Sequence, residues 1–408
     1  MDISQRERFH RVPGRFTKAG LSVACLAAVI TTSLVTTAVV ATVAVATPAA
    51  GSAASTDGYV VVLHPTATAD HGTRVTALAG RYGAQVDRHY TAALSGFSAR
   101  LTKSGAKALA ADPSVAHVVP DSPVRAYGDQ LNPPSWGLDR VDQRKLPLDK
   151  HYRYATPAPN VTAFILDTGV RATHVDFGGR VRGGRDFVDN DDNPDDQHGH
   201  GTFLAGIIGG KEYGLAKGVT IVPVRVLDKN GSGSVSGVIA GIDWITANAH
   251  GPSVVNMSLG GPANAALDAA VRGSIAAGTT YSVPAGSSGG QAGNVSPARV
   301  TEAITSASIN QSDCAYRSSN SGPAVDLYAP GVNIVGPWIT ANDAKATLSG
   351  TSFAAAHTSG AAALRLGQQP TLTPAQVQAA LVRSASPGVC ELPANTADRI
   401  LYTGPSRD

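Results

Sequence analysis

The stretch VTIVPVRVLD at residues 219–228 is an almost continuous apolar run, and VSGVIAGIDWITANA, a segment rich in small residues, follows it at 235–249. The same alternation recurs at three further apolar runs, namely VTAFILD (161–167), SVVNMSL (253–259) and TTYSVPAG (279–286). Strands that are apolar on both faces, with helices between them, indicate a parallel sheet covered by helices on both sides. We therefore predict an α/β fold for residues 127–408.

Residues 57–126 have the pattern of a separate, smaller α+β unit. Three strands and two helices alternate there, in the order YVVVLHP, TRVTALAGRYGA, LSGFSARLT, SGAKALAADP and VAHVVPD. From Gln130 the residue pattern changes, and NPPSWGL at 132–138 has the proline-rich composition of a rigid loop. With 408 residues, the chain is long enough for two folding units, at roughly 100–200 residues per domain.

The N-terminus has the layout of a secretory signal peptide. Cationic side chains lie within residues 1–20, an uncharged stretch runs from Leu21 to Ala46, and Ala44-Val45-Ala46 is a candidate cleavage site. We assign residues 1–46 to the signal and 47–56 to a linker, and we expect a secreted, extracellular protein. The apolar part is also long enough to span a bilayer, so an uncleaved membrane anchor is the alternative.

Charge and cysteine content narrow the partners. Lys and Arg exceed Asp and Glu by 33 to 30 without forming a basic stripe, so nucleic acid is excluded as a partner. We expect a monomer. Cys314 and Cys390 are the only cysteines after the signal, and an oxidising compartment permits a disulfide between them, although two cysteines fix no geometry.

Three distant residues carry possible hydrolytic chemistry. Asp167 ends the run AFILD, at the edge of the sheet where ligands bind in open α/β folds. His200 begins a helix after an acidic loop, and Ser352 lies at the head of an alanine-rich helix. Each has an ordinary alternative, as a turn former, a surface residue and a helix cap. Together they match the needs of amide hydrolysis, which are a nucleophile, a base and a carboxylate that orients the base.

The blocks AFILDTGV, HGHGTFLAG and SGTSFAAAH, in this order, resemble the three signature blocks of subtilisin-like serine peptidases of the proteinase K branch. NPPSWGLDRVDQRKLPLD, VVNMSLGG, VDLYAPG and SPAR match the same branch, and residues 57–126 resemble its inhibitor-type (I9) propeptide. The resemblance implies a subtilisin-like parallel sheet preceded by a small ferredoxin-like domain. It also implies that Asp167 orients, His200 is the general base and Ser352 attacks, in a precursor that processes itself.

The same resemblance implies where substrate lies. An extended polypeptide is expected to pair with two backbone edges, which are Ser232-Gly233-Ser234 and Ser258-Leu259-Gly260. The propeptide, acting as intramolecular chaperone and inhibitor, is expected to place its tail near Val124–Ala126 in that groove. We expect its cleavage between Ala126 and Gln130.

Several residues depart from the family pattern. The family has Asn where this chain has Ser287, and that Asn donates the second hydrogen bond of the oxyanion hole, alongside the backbone N–H of Ser352. Loss of this donor in subtilisin lowers turnover by about 100–1000-fold. Phe353 replaces a Met, and Phe203 replaces a His. The loss of the Asn donor predicts an enzyme with reduced activity.

The chemistry requires no cofactor, but the resemblance implies a structural calcium at Asp326. Its usual carbonyl partners lie just before a segment, AITSAS, that is one residue shorter here than in the family. A lone carboxylate is a weak start for calcium, which takes six to eight oxygens.

Two other functions remain open from the sequence. The first is a catalytically weak or inactive homologue that binds extended peptides, which the replacement at Ser287 favours. The second is an α/β-hydrolase esterase, because GSSGG at 286–290 fits the G-x-S-x-G pattern around Ser288, with Asp326 and His357 following in order. That alternative leaves Asp167 and His200 without a role.

Overall fold

The structure is a computed structural model that describes residues 56–65, 70–121 and 128–404. The chain divides after Ser122 into two compact units, which are described separately below. The signal segment and most of the linker lie outside the described residues. The junction expected between Ala126 and Gln130 lies partly outside them. In the described ranges, no helix combines the length and apolar character needed to cross a membrane.

The first unit is a four-stranded antiparallel sheet with two helices in a β-α-β-β-α-β order. Its elements are β1 (Asp57–Leu63), α1 (His71–Tyr82), β2 (Gln85–Tyr90), β3 (Gly96–Leu101), α2 (Lys103–Ala110) and β4 (Val115–Pro120). The strand order is β2-β3-β1-β4. The side chains of Asp70 and Thr102 cap the two helices by accepting backbone N–H bonds. Strand β2 is not among the predicted strands, because QVDRHY has few apolar residues and buries none of them fully.

The second unit contains the remaining elements. Its strands are β5 (Gly128–Leu131), β6 (His151–Tyr154), β7 (Thr162–Asp167), β8 (Arg185–Asp186), β9 (Thr220–Arg225), β10 (Ser253–Asn256), β11 (Gly261–Pro262), β12 (Thr280–Pro284), β13 (Val295–Ser296), β14 (Ile304–Ile309), β15 (Leu327–Pro330), β16 (Ile334–Pro337) and β17 (Lys345–Leu348). Its helices are α3 (Trp136–Val141), α4 (His200–Gly209), α5 (Val235–Asn248), α6 (Ala265–Ala276), α7 (Thr351–Gln368) and α8 (Pro374–Ser384).

Seven of these strands form one parallel sheet in the order β15-β14-β12-β10-β7-β9-β8. The four apolar runs of the sequence analysis correspond to β7, β9, β10 and β12. The other three strands were not predicted, since β8 has two residues, β15 has four, and β14, ITSASI, buries two serines and a threonine among its apolar residues.

The side chains of β7 alternate between two cores, one on each face of the sheet. Ala163 and Ile165 belong to a core with residues of α4 and α7, whereas Phe164 and Leu166 belong to a core with residues of α5 and α6. Burial on both faces is why the strand has no polar alternation. The predicted α/β fold is confirmed. Strand β7 is an interior strand of the sheet, and its last residue is Asp167.

Cys314 and Cys390 form a disulfide. The bond closes a loop of sequence separation 76 and joins the segment after β14 to the chain beyond α8. Helix α8 begins as the sequence indicates, with Pro374 in its first turn and a capping box between Thr373 and Gln376.

Candidate active site

Asp167 and His200 are hydrogen-bonded to each other. Asp167 ends β7 and is fully buried, and its Oδ1 lies 2.7 Å from Nδ1 of His200, the first residue of α4. The same Oδ1 accepts a bond of 2.8 Å from the backbone N–H of Thr168. Gly199 precedes His200 with φ at 109°, and a Cβ there would lie 2.6 Å from the Trp338 ring. Glycine at this position therefore lets the histidine loop approach the aromatic side chain.

The electrostatics of His200 favour its protonation. Burial opposes the charged form, but the negative charge of Asp167, the hydrogen bond to it and the charge of Asp196 outweigh burial and raise the pKa of His200. An imidazole held in this way is stabilised when it gains a proton, which is the requirement for a general base in acyl transfer.

Asp196 organises the loop that carries His200, and the sequence analysis did not single it out. Its Oδ1 accepts bonds from the backbone of His198 and Gly199 and from the hydroxyl of Thr168, at 2.8–2.9 Å. Its Oδ2 accepts from both the N–H and the hydroxyl of Thr202. The carboxylate is buried, so these bonds fix the start of α4 relative to β7. In the sequence it is one of several acids in DDNPDDQHGH, and nothing there distinguishes it.

Ser352 is the second residue of α7, and its side chain faces the same cleft as His200. Its Oγ donates a long hydrogen bond of 3.4 Å to the carbonyl of Ser258, and the hydroxyl of Ser258 donates to the carbonyl of Ser352 at 3.1 Å. The start of α7 provides a free backbone N–H and the positive end of the helix dipole beside this hydroxyl. The fold thus brings the three predicted side chains to one edge of the sheet.

Both predicted peptide-binding edges line this cleft, which has a volume of about 760 Å³. Ser232-Gly233-Ser234 lies between β9 and α5, and Ser258-Leu259-Gly260 follows β10. The cleft is therefore bounded by two stretches of main chain outside the carboxyl ends of parallel strands. An extended chain bound between them would find backbone donors and acceptors on both sides.

Ser287 follows β12 and lies beside Thr351, the first residue of α7. Its Oγ is 2.9 Å from the hydroxyl of Thr351 and accepts a bond of 3.3 Å from the backbone N–H of Thr351. Ser287 and Ser352 line one adjoining cavity of about 330 Å³. The hydroxyl that replaces the family Asn is therefore near the nucleophile, and it is already hydrogen-bonded.

The two unusual phenylalanines of the signature blocks are in contact. The rings of Phe203 and Phe353 have centroids 4.8 Å apart, and the ring of Phe353 is 5.9 Å from that of His200. Phe203 also meets Trp338 edge to face at 6.4 Å. The two replacements are thus neighbours, and they form an aromatic wall behind the histidine.

The residues of the esterase alternative are not assembled. The Ser288 hydroxyl donates to Oδ1 of Asn320 at 2.9 Å. His357 is buried in α7 with Nδ1 bonded to the carbonyl of Phe353, and burial lowers its pKa to about 4. His357 in this environment does not act as a base for Ser288. The G-x-S-x-G match therefore does not mark an active site.

The carboxylate of Asp326 is hydrogen-bonded to protein donors. One of its oxygens accepts from the N–H of Thr305 at 2.8 Å, and the side-chain nitrogen of Gln378 lies 3.4 Å from both oxygens. An N–H donor therefore faces the carboxylate where a cation would bind. Among the described residues, no group of three or more His, Cys, Asp or Glu side chains has a metal-binding arrangement.

Known families match both units of this chain. The model of the peptidase S8 subtilase family matches residues 159–403. The model of peptidase inhibitor I9 matches residues 58–127. The two matches follow each other in the order that the sequence analysis expected.

Individual relatives cover most of the chain. The extracellular serine proteinase of Thermus sp. (strain Rt41A) is 48% identical over 329 residues, which are 80% of this chain and 80% of that protein. Alkaline serine exoprotease A of Vibrio alginolyticus is 45% identical over 81% of this chain, which spans 62% of that relative. The subtilisin-like serine protease Pen c 1 of Penicillium citrinum is 37% identical over 76% of this chain and 79% of its own length.

A solved structure is also similar. The crystal structure of a cold adapted subtilisin-like serine proteinase is 48% identical, with a TM-score of 0.65, and covers 66% of this chain and 98% of that chain.

Proposed function

Because the chain belongs to the subtilase family and is a serine endopeptidase, we propose that it cleaves extended polypeptides through an acyl-enzyme formed on Ser352. His200 is the general base and Asp167 orients it. The observation that carries this proposal is the 2.7 Å hydrogen bond between buried Asp167 and His200, because His200 lines the same cleft as Ser352. The chemistry requires no cofactor.

The first half of the reaction forms one bond, breaks one bond and passes one proton through His200. Asp167 accepts a hydrogen bond from Nδ1–H of His200, which leaves Nε2 as the basic nitrogen. Nε2 takes the Ser352 hydroxyl proton while Oγ bonds to the substrate carbonyl carbon. The tetrahedral intermediate then collapses, its C–N bond breaks, and Nε2–H protonates the leaving amine. Water repeats these steps on the ester and releases the carboxylate product.

Charge that develops on the substrate oxygen needs donors near Ser352. The backbone N–H of Ser352 and the positive end of α7 supply one such contribution. The hydroxyl of Ser287 is the candidate for the second donor. The hydrogen bond to Thr351 holds the Ser287 hydroxyl in place. The same bond competes with the oxyanion, because the Ser287 hydroxyl must turn toward the oxyanion to donate to it. We therefore expect this hole to be weaker than one with an asparagine.

Maturation is the second part of the proposal. An I9 domain indicates an intramolecular inhibitor and chaperone, and its match ends at residue 127. We propose that the enzyme cuts its own chain between Ala126 and Gln130 and that the precursor is secreted. Similarity to the extracellular serine proteinase of Thermus sp. supports export.

The test is the fate of the full chain after expression. The unsubstituted protein should separate into a propeptide and a mature fragment, with a new N-terminus between Ala126 and Gln130. Ser352→Ala should remain a single chain. The matched control is Ser349→Ala, because Ser349 is exposed and bonds to Asn333 instead of lining the cleft.

Two results would count against the proposal. Processing of purified Ser352→Ala at the normal junction would remove Ser352 from the reaction. A folded but uncut unsubstituted chain would favour the alternative of a weak or inactive peptide-binding homologue, for which the replacement at Ser287 is the specific observation.

A further inference from the structure

Four oxygen atoms surround one point between β14, β15 and α8. Two are the backbone carbonyls of Thr301 and Ala303, and two are the carboxylate oxygens of Asp326. Asp326 is held in place by reciprocal bonds with Thr305, whose N–H donates to Oδ2 at 2.8 Å and whose carbonyl accepts from the Asp326 N–H at 2.9 Å. Two carbonyls and a carboxylate are the donor set that a hard cation such as calcium prefers.

The side-chain nitrogen of Gln378 occupies that point. It lies 3.0 Å from the carbonyl of Thr301, 3.1 Å from that of Ala303 and 3.4 Å from each oxygen of Asp326. All four neighbours only accept hydrogen bonds, and an amide NH₂ only donates. The nitrogen must therefore face inward, because an oxygen in its place would meet four other oxygens with no proton between them.

We propose that the amide of Gln378 takes the place of a calcium ion at this point. The four oxygens are then bridged by a neutral N–H donor, and the chain binds no calcium there. Calcium would need its oxygens at about 2.3–2.6 Å and has no room beside the amide nitrogen. The contacts from α8 to the Thr301–Ala303 turn and to Asp326 are then made by protein alone. This inference concerns the fold and is independent of the proposed catalytic residues.

The test compares calcium binding and calcium-dependent melting of four full chains, each carrying Ser352→Ala so that self-digestion is absent. They are the chain with no further change, Gln378→Ala, Gln378→Ala with Asp326→Asn, and Gln376→Ala. Gln378→Ala should bind one more calcium ion by calorimetry, and its Tm should rise by about 5 °C at calcium concentrations ~100 times Kd. Adding Asp326→Asn should abolish the gain, and Gln376→Ala, on the same helix, should respond like the parent.

A second variant guards against misfolding of the first. Gln378→Glu keeps the shape but sets a carboxylate against Asp326, so it should melt lower in chelator and recover when calcium is added. A calcium-dependent Tm in the parent that Asp326→Asn removes would overturn the proposal. So would a Gln378→Ala chain that gains no calcium response, or a Gln378→Glu chain indifferent to calcium.

Discussion

Phe203 lies against Phe353, with ring centroids 4.8 Å apart, and the pair packs behind the imidazole of His200. The two residues are separated widely in sequence, and each departs from the family pattern. The two departures are therefore in direct contact in the core. Phe203 is completely buried, and Phe353 is nearly so.

The pair should be energetically coupled. We expect Phe203→Leu and Phe353→Leu together to destabilise the fold by about 0.5–1.5 kcal/mol less than the sum of the single changes, because the second change removes a contact already lost. A double-mutant cycle on chemical unfolding of the Ser352→Ala chain measures this. Phe177→Leu, at a buried ring outside the wall, should be additive with Phe353→Leu. Equal additivity in both cycles would contradict the coupling.

Ser287→Asn should raise kcat for peptide substrates by ~10-fold or more, because a donor at this position contributes about 100–1000-fold to turnover when fully effective. Steady-state hydrolysis of a peptide substrate provides the measurement. Ser288→Ala is the comparison, since its hydroxyl bonds to Asn320 and should be dispensable. An unchanged or lower kcat in Ser287→Asn would mean that another group already fills the oxyanion position.

The acidic limb of the pH profile should depend on Asp167. The carboxylate raises the pKa of His200, and only the neutral imidazole accepts the Ser352 proton, so activity should rise as pH increases through that pKa. Asp167→Asn should shift the limb to lower pH and lower kcat by about 10⁴-fold. Asp192→Asn, at an exposed carboxylate nearby, should leave the limb in place. A limb unmoved by Asp167→Asn would assign it to another group.

Removal of the disulfide should destabilise the fold. A loop of sequence separation 76 corresponds to about 4 kcal/mol by the entropy of chain closure. The Cys314→Ser, Cys390→Ser double variant should therefore melt lower than the parent, and added reductant should lower the Tm of the parent only. A parent whose Tm does not respond to full reduction would refute this estimate.

The fold was predictable because its strands are marked by simple chemistry. Burial of both faces makes β7 and β10 short apolar runs, and small residues between them allow helices to pack closely. Strand β2 in the first unit was not predicted because it has few apolar residues and none of them is fully buried. β14 escaped because hydrogen bonds to its serines and threonine replace apolar packing, as between Ser306 and Thr358.

The site divides in the same way. Asp167, His200 and Ser352 stand in distinctive local blocks, so their roles were predicted before any geometry was known. Asp196 and Gln378 were not predicted, because their importance lies in partners distant in the sequence, which are the hydroxyl of Thr168 for Asp196 and the carbonyls of Thr301 and Ala303 for Gln378. One acid in an acidic loop and one glutamine on a helix have no local signature.

Covalent labelling tests the central claim most directly. A fluorophosphonate reacts with a serine only where a base activates the hydroxyl and donors stabilise the developing charge. After treatment of the processed protein and peptide mapping, we predict the label on Ser352. Label on Ser288, or no label on a folded and processed protein, would contradict the account.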